Sequence, residues 1–176
     1  MITIRKALEQ DCPGIATVQV DSYRSAYKRI FPDAYIAHFT YEEQAGDWKA
    51  WFQTKKDEFL FMAEDKDGKV IGYTLVKIQA GVYAGYDAEL VALHVKRSIH
   101  RQGIGKALLA KAVQELKKRG SGSVMLWTLK ENPVRRWYER LGGMVLGEKR
   151  YDVDDREIVE IVYGWEDTHY LGQSLR

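Results

Sequence analysis

Apolar and polar residues alternate over residues 2–8 with the two-residue period of a strand. From Asp11 the period lengthens, and the pattern predicts a helix through Val18 and Tyr23 to about Ala26, capped by Asp11 with Pro13 in its first turn. Phe31-Pro32-Asp33 breaks the chain ahead of a short helical turn. Thr40 and Glu43 have the spacing of a capping box, and the helix they open carries Trp48, Trp51 and Phe52 on one face. Glu58–Glu64 and Val70–Ile78 predict a hairpin about the turn Asp65–Gly68. A loop rich in Gly and Tyr over 81–87 leads to a central strand, Ala88–Val95. Then follow a helix Gly103–Lys118 stopped at Gly120–Gly122, a strand Val124–Leu129, and a helix Pro133–Leu141 ended by Gly142-Gly143. Two strands, about 144–151 and 157–163, flank a polar turn Asp152–Asp155. The order β-α-α-β-β-β-α-β-α-β-β predicts an α/β (α+β) fold: a mixed central sheet of about seven strands covered by helices.

The 176 residues suit a single domain spanning 1–176, and 45% hydrophobic with 30% charged residues is an ordinary globular composition. A net charge of +2 excludes a protein that coats itself in nucleic acid by bulk charge. The lone Cys12 cannot form an internal disulfide, and the N-terminus turns charged within five residues, so a cytoplasmic, reduced location is expected. No run approaches the ~18 apolar residues of a membrane span. One Cys and four scattered His give no metal-ligand spacing. The charge is unevenly placed. Residues 94–119 hold eight Lys/Arg and one acid, a net +7, against 19 basic and 24 acidic residues elsewhere, a net −5.

That basic stretch runs from the end of a strand through a turn into a helix. Gly103 and Gly105 stand where the helix begins. Unpartnered N–H groups and the positive dipole end favour an anion there, and glycines let a phosphate approach the amides. Arg101 and Lys106 add full charges, so the chemistry is diphosphate binding. Two other nucleotide motifs fail: Leu108 stands where the dinucleotide fingerprint needs its third glycine, and His100 and Ala107 occupy key positions of the NTPase phosphate loop.

The segment His100-Arg101-Gln102-Gly103-Ile104-Gly105 resembles the Gln/Arg-x-x-Gly-x-Gly/Ala signature of the GNAT superfamily, the Gcn5-related N-acetyltransferases, with His at the first position. Three further features are similar in order and spacing: Glu89-Leu90 with Leu93 and Val95 on the preceding strand, Asn132 before the next helix, and Trp137-Tyr138 followed by Gly142. Arg135 replaces the usual small residue after the Asn. These motifs cover about residues 88–145, and the element order fits the family throughout. Tyr23 to Tyr27, Phe31-Pro32-Asp33 and the Trp48 helix resemble a bacterial subset that includes polyamine acetyltransferases.

The resemblance implies acetyl transfer from acetyl-CoA to a primary amine, in a ternary complex and without a metal. It implies Glu89 as candidate base, the Leu93 backbone N–H toward the developing oxyanion, and Tyr138 as general acid to the leaving thiolate. The cofactor would lie along Leu93, His94 and Val95, on residues His100 to Ala107, and against Asn132, Arg135 and Tyr138. The acceptor, a small-molecule or peptide amine, would meet Tyr27, Phe31, Glu89 and Trp127. An acidic field for a polycation could come from Asp33, Glu42 and Glu43. Several residues have plainer expectations: Cys12 as a buried small residue, His94 as a hydrogen-bonded structural His, Asp152, Asp154 and Asp155 as a solvated turn, Lys117 to Arg119 as a solvated helix end, Trp48 and Trp51 as core. Exposed edge strands near the C-terminus leave room for a homodimer. The alternative reading is a catalytically silent CoA-binding module on the same fold. Neither nucleic acid nor membrane is expected as a partner: no aromatic-studded basic face accompanies the charges, and no apolar run is long enough for a span.

Overall fold

β1 (Thr3–Lys6) ends two residues before the alternation does. The cause is Asp11, whose carboxylate accepts from the Arg5 guanidinium at 2.7 and 2.9 Å and from the Leu8 N–H at 2.8 Å. The predicted cap is thus a turn lock, and α1 (Cys12–Ala26) begins without a side-chain cap. The computed structural model describes residues 2–78 and 83–175. α2 (Asp33–Ala37) is the short turn after Pro32. α3 (Tyr41–Thr54) opens at the expected box: the Thr40 hydroxyl accepts from the Glu43 N–H at 3.2 Å and donates to the Glu43 carboxylate at 2.8 Å.

β2 (Glu58–Glu64), β3 (Val70–Ile78) and β4 (Ala88–Val95) form an antiparallel ribbon. Residues 79–82, which include the start of the loop expected over 81–87, lie outside the described residues. α4 (Ile104–Lys118) and β5 (Val124–Leu129) follow as expected. α5 (Arg135–Arg140) starts later than Pro133, because the Asn132 side chain accepts from the Val134 N–H at 3.1 Å and makes a turn first. β6 (Met144–Val153) and β7 (Arg156–Trp165) are longer than predicted, and their pairing runs to Val153 opposite Arg156, so only Asp154-Asp155 turns. α6 (Thr168–Ser174) is an element the periodicity does not predict. It is fixed by Asp167, whose carboxylate accepts from the His169 N–H at 2.7 Å, and by burial of Leu171 and Leu175 in the main core.

The strands lie in the order β1-β2-β3-β4-β5-β7-β6, a seven-stranded mixed sheet in which, among the described residues, only β4·β5 is parallel. α4, α5 and α6 bury Leu108, Leu116, Leu141 and Leu171 on one face. On the other face Ile15 and Val18 of α1 and Trp48 of α3 meet Leu60, Met62, Tyr73 and Leu75. Burial of this kind stabilises by roughly 25 cal/mol per Å² of apolar surface. Among the described residues no helix is long and apolar enough to cross a membrane.

Candidate active site

β4 carries an irregularity that opens the sheet. Leu75 faces Ala92 while Val76 faces Leu90, so Val91 is an extra, bulged residue. On the other side, β4 and β5 share one register pair, Glu89 opposite Met125, and beyond it the strands part. The Lys96 N–H donates to the Ile71 carbonyl at 2.9 Å, which fixes the parity of the strand end. Leu93 and Val95, odd to that even, direct their backbone N–H and C=O groups away from β3 into the gap.

A cavity of about 600 Å³ occupies this gap. It is lined by Glu89, Leu93, His94, Val95 and His100 from one side and by Trp127, Asn132 and Tyr138 from the other, with Tyr27 and Phe31 across its far end. Of the residues expected at the site, Arg135 and those from 101 to 107 do not line it. The latter form the next surface along the chain. Arg101 (φ 63) and Gly103 (φ 80) both take left-handed conformations, and the first amide used inside α4 is that of Ala107, bonded to the Gly103 carbonyl at 2.9 Å. Ile104 is buried and anchors the helix start, while Arg101, Gln102, Lys106 and Ala107 are exposed. A Cβ on Gly105 would meet only Val95 Cγ2, at 3.9 Å, and one on Gly103 nothing within 4 Å. The space over these amides is open, which fits a diphosphate.

His100 does something the family pattern does not suggest. Its Nε2 lies 2.8 Å from the Val95 carbonyl, and since a carbonyl only accepts, Nε2 carries the proton. Arg135 forms an ion pair with Glu139 at 3.0 Å. Asn132 accepts from the Val134 N–H in the turn before α5.

Glu89 is partly buried, and burial raises its pKa above the ordinary carboxylate value against the opposing pull of Lys77 and Lys149. Tyr138 is buried, and desolvation pushes its phenol well up. Its ring packs on Trp137, Trp165 and Tyr163 with centroids 5.3–6.3 Å away. His94 is not held by a hydrogen bond to any described residue, contrary to expectation. Its ring lies 5.3 Å from Tyr73 and 5.7 Å from Tyr23, and burial lowers its pKa to about 4, so it is neutral.

The far end of the cavity also holds residues that were not expected at the site. Tyr23, Tyr35 and Phe39 line the cavity beside Tyr27 and Phe31. The signal existed, because the five recur every fourth residue, but Pro32 interrupts the spacing. Lys149, Tyr151 and Glu160 enter from β6 and β7, and no local pattern marks them. Trp48 and Trp51 are packing residues, bonded to Gln19 and Glu58. Asp33, Glu42 and Glu43 do not line the cavity, and Glu43 is spent on the α3 cap.

The family model "Acetyltransferase (GNAT) family" matches residues 20–143. The chain belongs to that family. It is 32% identical over 175 residues to the uncharacterized N-acetyltransferase YuaI of Bacillus subtilis, covering 99% of both chains. A spermidine N(1)-acetyltransferase of Thermoplasma acidophilum is 28% identical over 137 residues, 76% of this chain and 81% of that one. The crystal structure of the PaiA N-acetyltransferase of the same organism, in complex with coenzyme A, superposes with a TM-score of 0.67 at 25% identity, covering 92% of this chain and 98% of the other. With the sheet order described above, these place the protein among the GNAT N-acetyltransferases, in agreement with the expected fold.

Proposed function

We propose that the chain moves the acetyl group of acetyl-CoA to a primary amine by direct attack, with both substrates held in the gap between β4 and β5. The observation that carries this reading is the parting of those strands after Glu89 and Met125, with Glu89 and Tyr138 on one cavity and the backbone of Leu93 and Val95 turned into it. The coenzyme A bound to the Thermoplasma relative supports the same choice of donor. Acetyl-CoA supplies an activated acyl group and a thiolate leaving group.

The chain's residues then divide the work. The amides of Gly103 to Lys106, with Arg101 and Gln102 beside them, receive the diphosphate. Val95 bonds the pantetheine arm as a further strand would, and Asn132 borders its path. A primary ammonium has a pKa near ~10 and arrives protonated, so Glu89 takes that proton, directly or through one water. The Leu93 N–H meets the charge developing on the acyl oxygen. Tyr138 gives its proton to the departing sulfur, and the second proton the nitrogen loses as the amide forms restores the phenol. Burial keeps that phenol protonated, as a donor must be.

Thiol release from acetyl-CoA across a panel of primary amines tests the reading. Amine-dependent release with acetylated product is expected. Tight CoA binding with no turnover on a broad panel reassigns the chain to a cofactor-binding module.

A further inference from the structure

The acceptor end already contains an alkylammonium. Lys149 and Glu160 face each other across β6 and β7, and Lys149 Nζ lies 2.7 Å from the Glu160 carboxylate. The same ammonium stands 4.5 Å over the Trp127 ring and 5.8 Å from that of Tyr151. A carboxylate with two aromatic faces is the chemistry that recognises an amine cation. All four residues line the cavity.

Resting on the acetyltransferase reading, we propose that Lys149 plugs the distal cation subsite and so restricts the acceptor to monoamines with an apolar or aromatic body. The remaining wall agrees. Tyr23, Tyr27, Phe31, Tyr35 and Phe39 form a closed ring of contacts, each centroid 4.7–5.9 Å from the next and Phe39 returning to Tyr23 at 4.8 Å. Among the described residues, the charged side chains on the cavity are Glu89, Glu160 and Lys149. Glu160 is neutralised by Lys149, and Glu89 meets the reacting amine. A second substrate ammonium finds no uncommitted carboxylate there and is repelled by Lys149. A flat apolar body finds rings to lie against.

Calorimetric titration of hexylamine, phenethylamine and 1,6-diaminohexane into the CoA complex measures the preference without turnover. The wild type is expected to bind the two monoamines more tightly than the diamine. Lys149→Met vacates the subsite and leaves Glu160 unpaired, so the diamine is expected to gain about tenfold relative to hexylamine. Lys149→Arg keeps the plug and the wild-type order, and unchanged CoA affinity in both variants reports an intact fold. A wild type that prefers the diamine, or a Lys149→Met variant whose diamine-to-monoamine ratio does not move, overturns the proposal. Absence of thiol release with every amine counts against the acetyltransferase reading instead, since the binding ratios still decide the plug.

Discussion

Tyr138 can be tested by removing one oxygen. Tyr138→Phe keeps the ring contacts to Trp165 and Tyr163 and deletes only the proton donor. CoA affinity is expected to hold while kcat falls by ~10², the usual scale for one general acid. Equal turnover in the variant, with chemistry rate-limiting, removes Tyr138 from the mechanism. Glu89 makes a pH prediction. Its raised pKa places the acid limb of kcat/KM above the ordinary carboxylate range, with activity lost as pH falls through it. Glu89→Gln is expected to lower the rate and erase that limb. His94 acts on stability instead. Its folded pKa of about 4 lies below the ~6.5 of an unfolded chain, so between those values only the unfolded state takes the proton. Stability is full above the upper value and falls as pH drops toward the lower one, by at most ~2 kcal/mol at pH 5. Urea midpoints at pH 7.5 and 5 measure this, and His94→Phe is expected to flatten the difference. Of the residues that composition and motif could mark, Glu89 and Tyr138 line one cavity, while the glycines stand beyond it at the start of α4. Lys149 and Glu160 were invisible because they become neighbours only through the β6·β7 register, which a two-residue turn sets.

At the scale of elements, the legible parts are those with a local cause. The Thr40 box, the hairpin at Asp65–Gly68 and the amphipathic α4 each satisfy themselves within one stretch of chain. α6 does not: Thr168 bonds the Ser121 carbonyl at 3.0 Å, and Leu171 packs into the core that α4 helps build, so its reason for being helical is tertiary. The end of α5 joins both kinds. The Gly142 N–H bonds the Glu139 carbonyl and the Gly143 N–H that of Tyr138, each at 3.0 Å, the paired bonds of a Schellman turn. Gly142 takes φ 81, which favours glycine. Gly143 is needed for room, because a Cβ there would fall 2.7 Å from Trp165 and 3.0 Å from the Tyr138 carbonyl oxygen. Gly143→Ala is therefore expected to destabilise by about 1–3 kcal/mol and to shift Tyr138, lowering kcat more than CoA affinity. Gly105→Ala should do the reverse. It meets no tight protein contact, so thermal stability should hold while CoA affinity drops, measured by melting and by titration on the same sample.

Over the whole molecule the near-neutral total hides a division of labour. The segment 94–119, with eight Lys/Arg against Glu115, forms the end of β4, the basic turn and α4; Lys96, Arg97, Arg101 and Lys106 stand around the turn and helix start, and Arg119, over the Phe59 ring, at the other end of α4. On the cavity wall formed by β6 and β7 the charges are instead paired, Lys149 with Glu160 at 2.7 Å. Exposed charges act on a polyanion over distances comparable to the Debye length, ~10 Å at 0.1 M salt. The Glu160 carboxylate is partly buried and in direct contact with a half-exposed Lys149, and such a pair is screened less than charges a Debye length apart. The two substrates should therefore respond differently to ionic strength. Raising salt from about 0.05 to 0.5 M is expected to weaken CoA binding by roughly tenfold, while amine affinity in the CoA complex changes by less than about twofold. Titrations of each ligand at both salt concentrations test this. Parallel losses for CoA and amine would mean that the acceptor is also drawn in by the long-range field of the acidic remainder, and that the cavity's own pairing does not set its affinity.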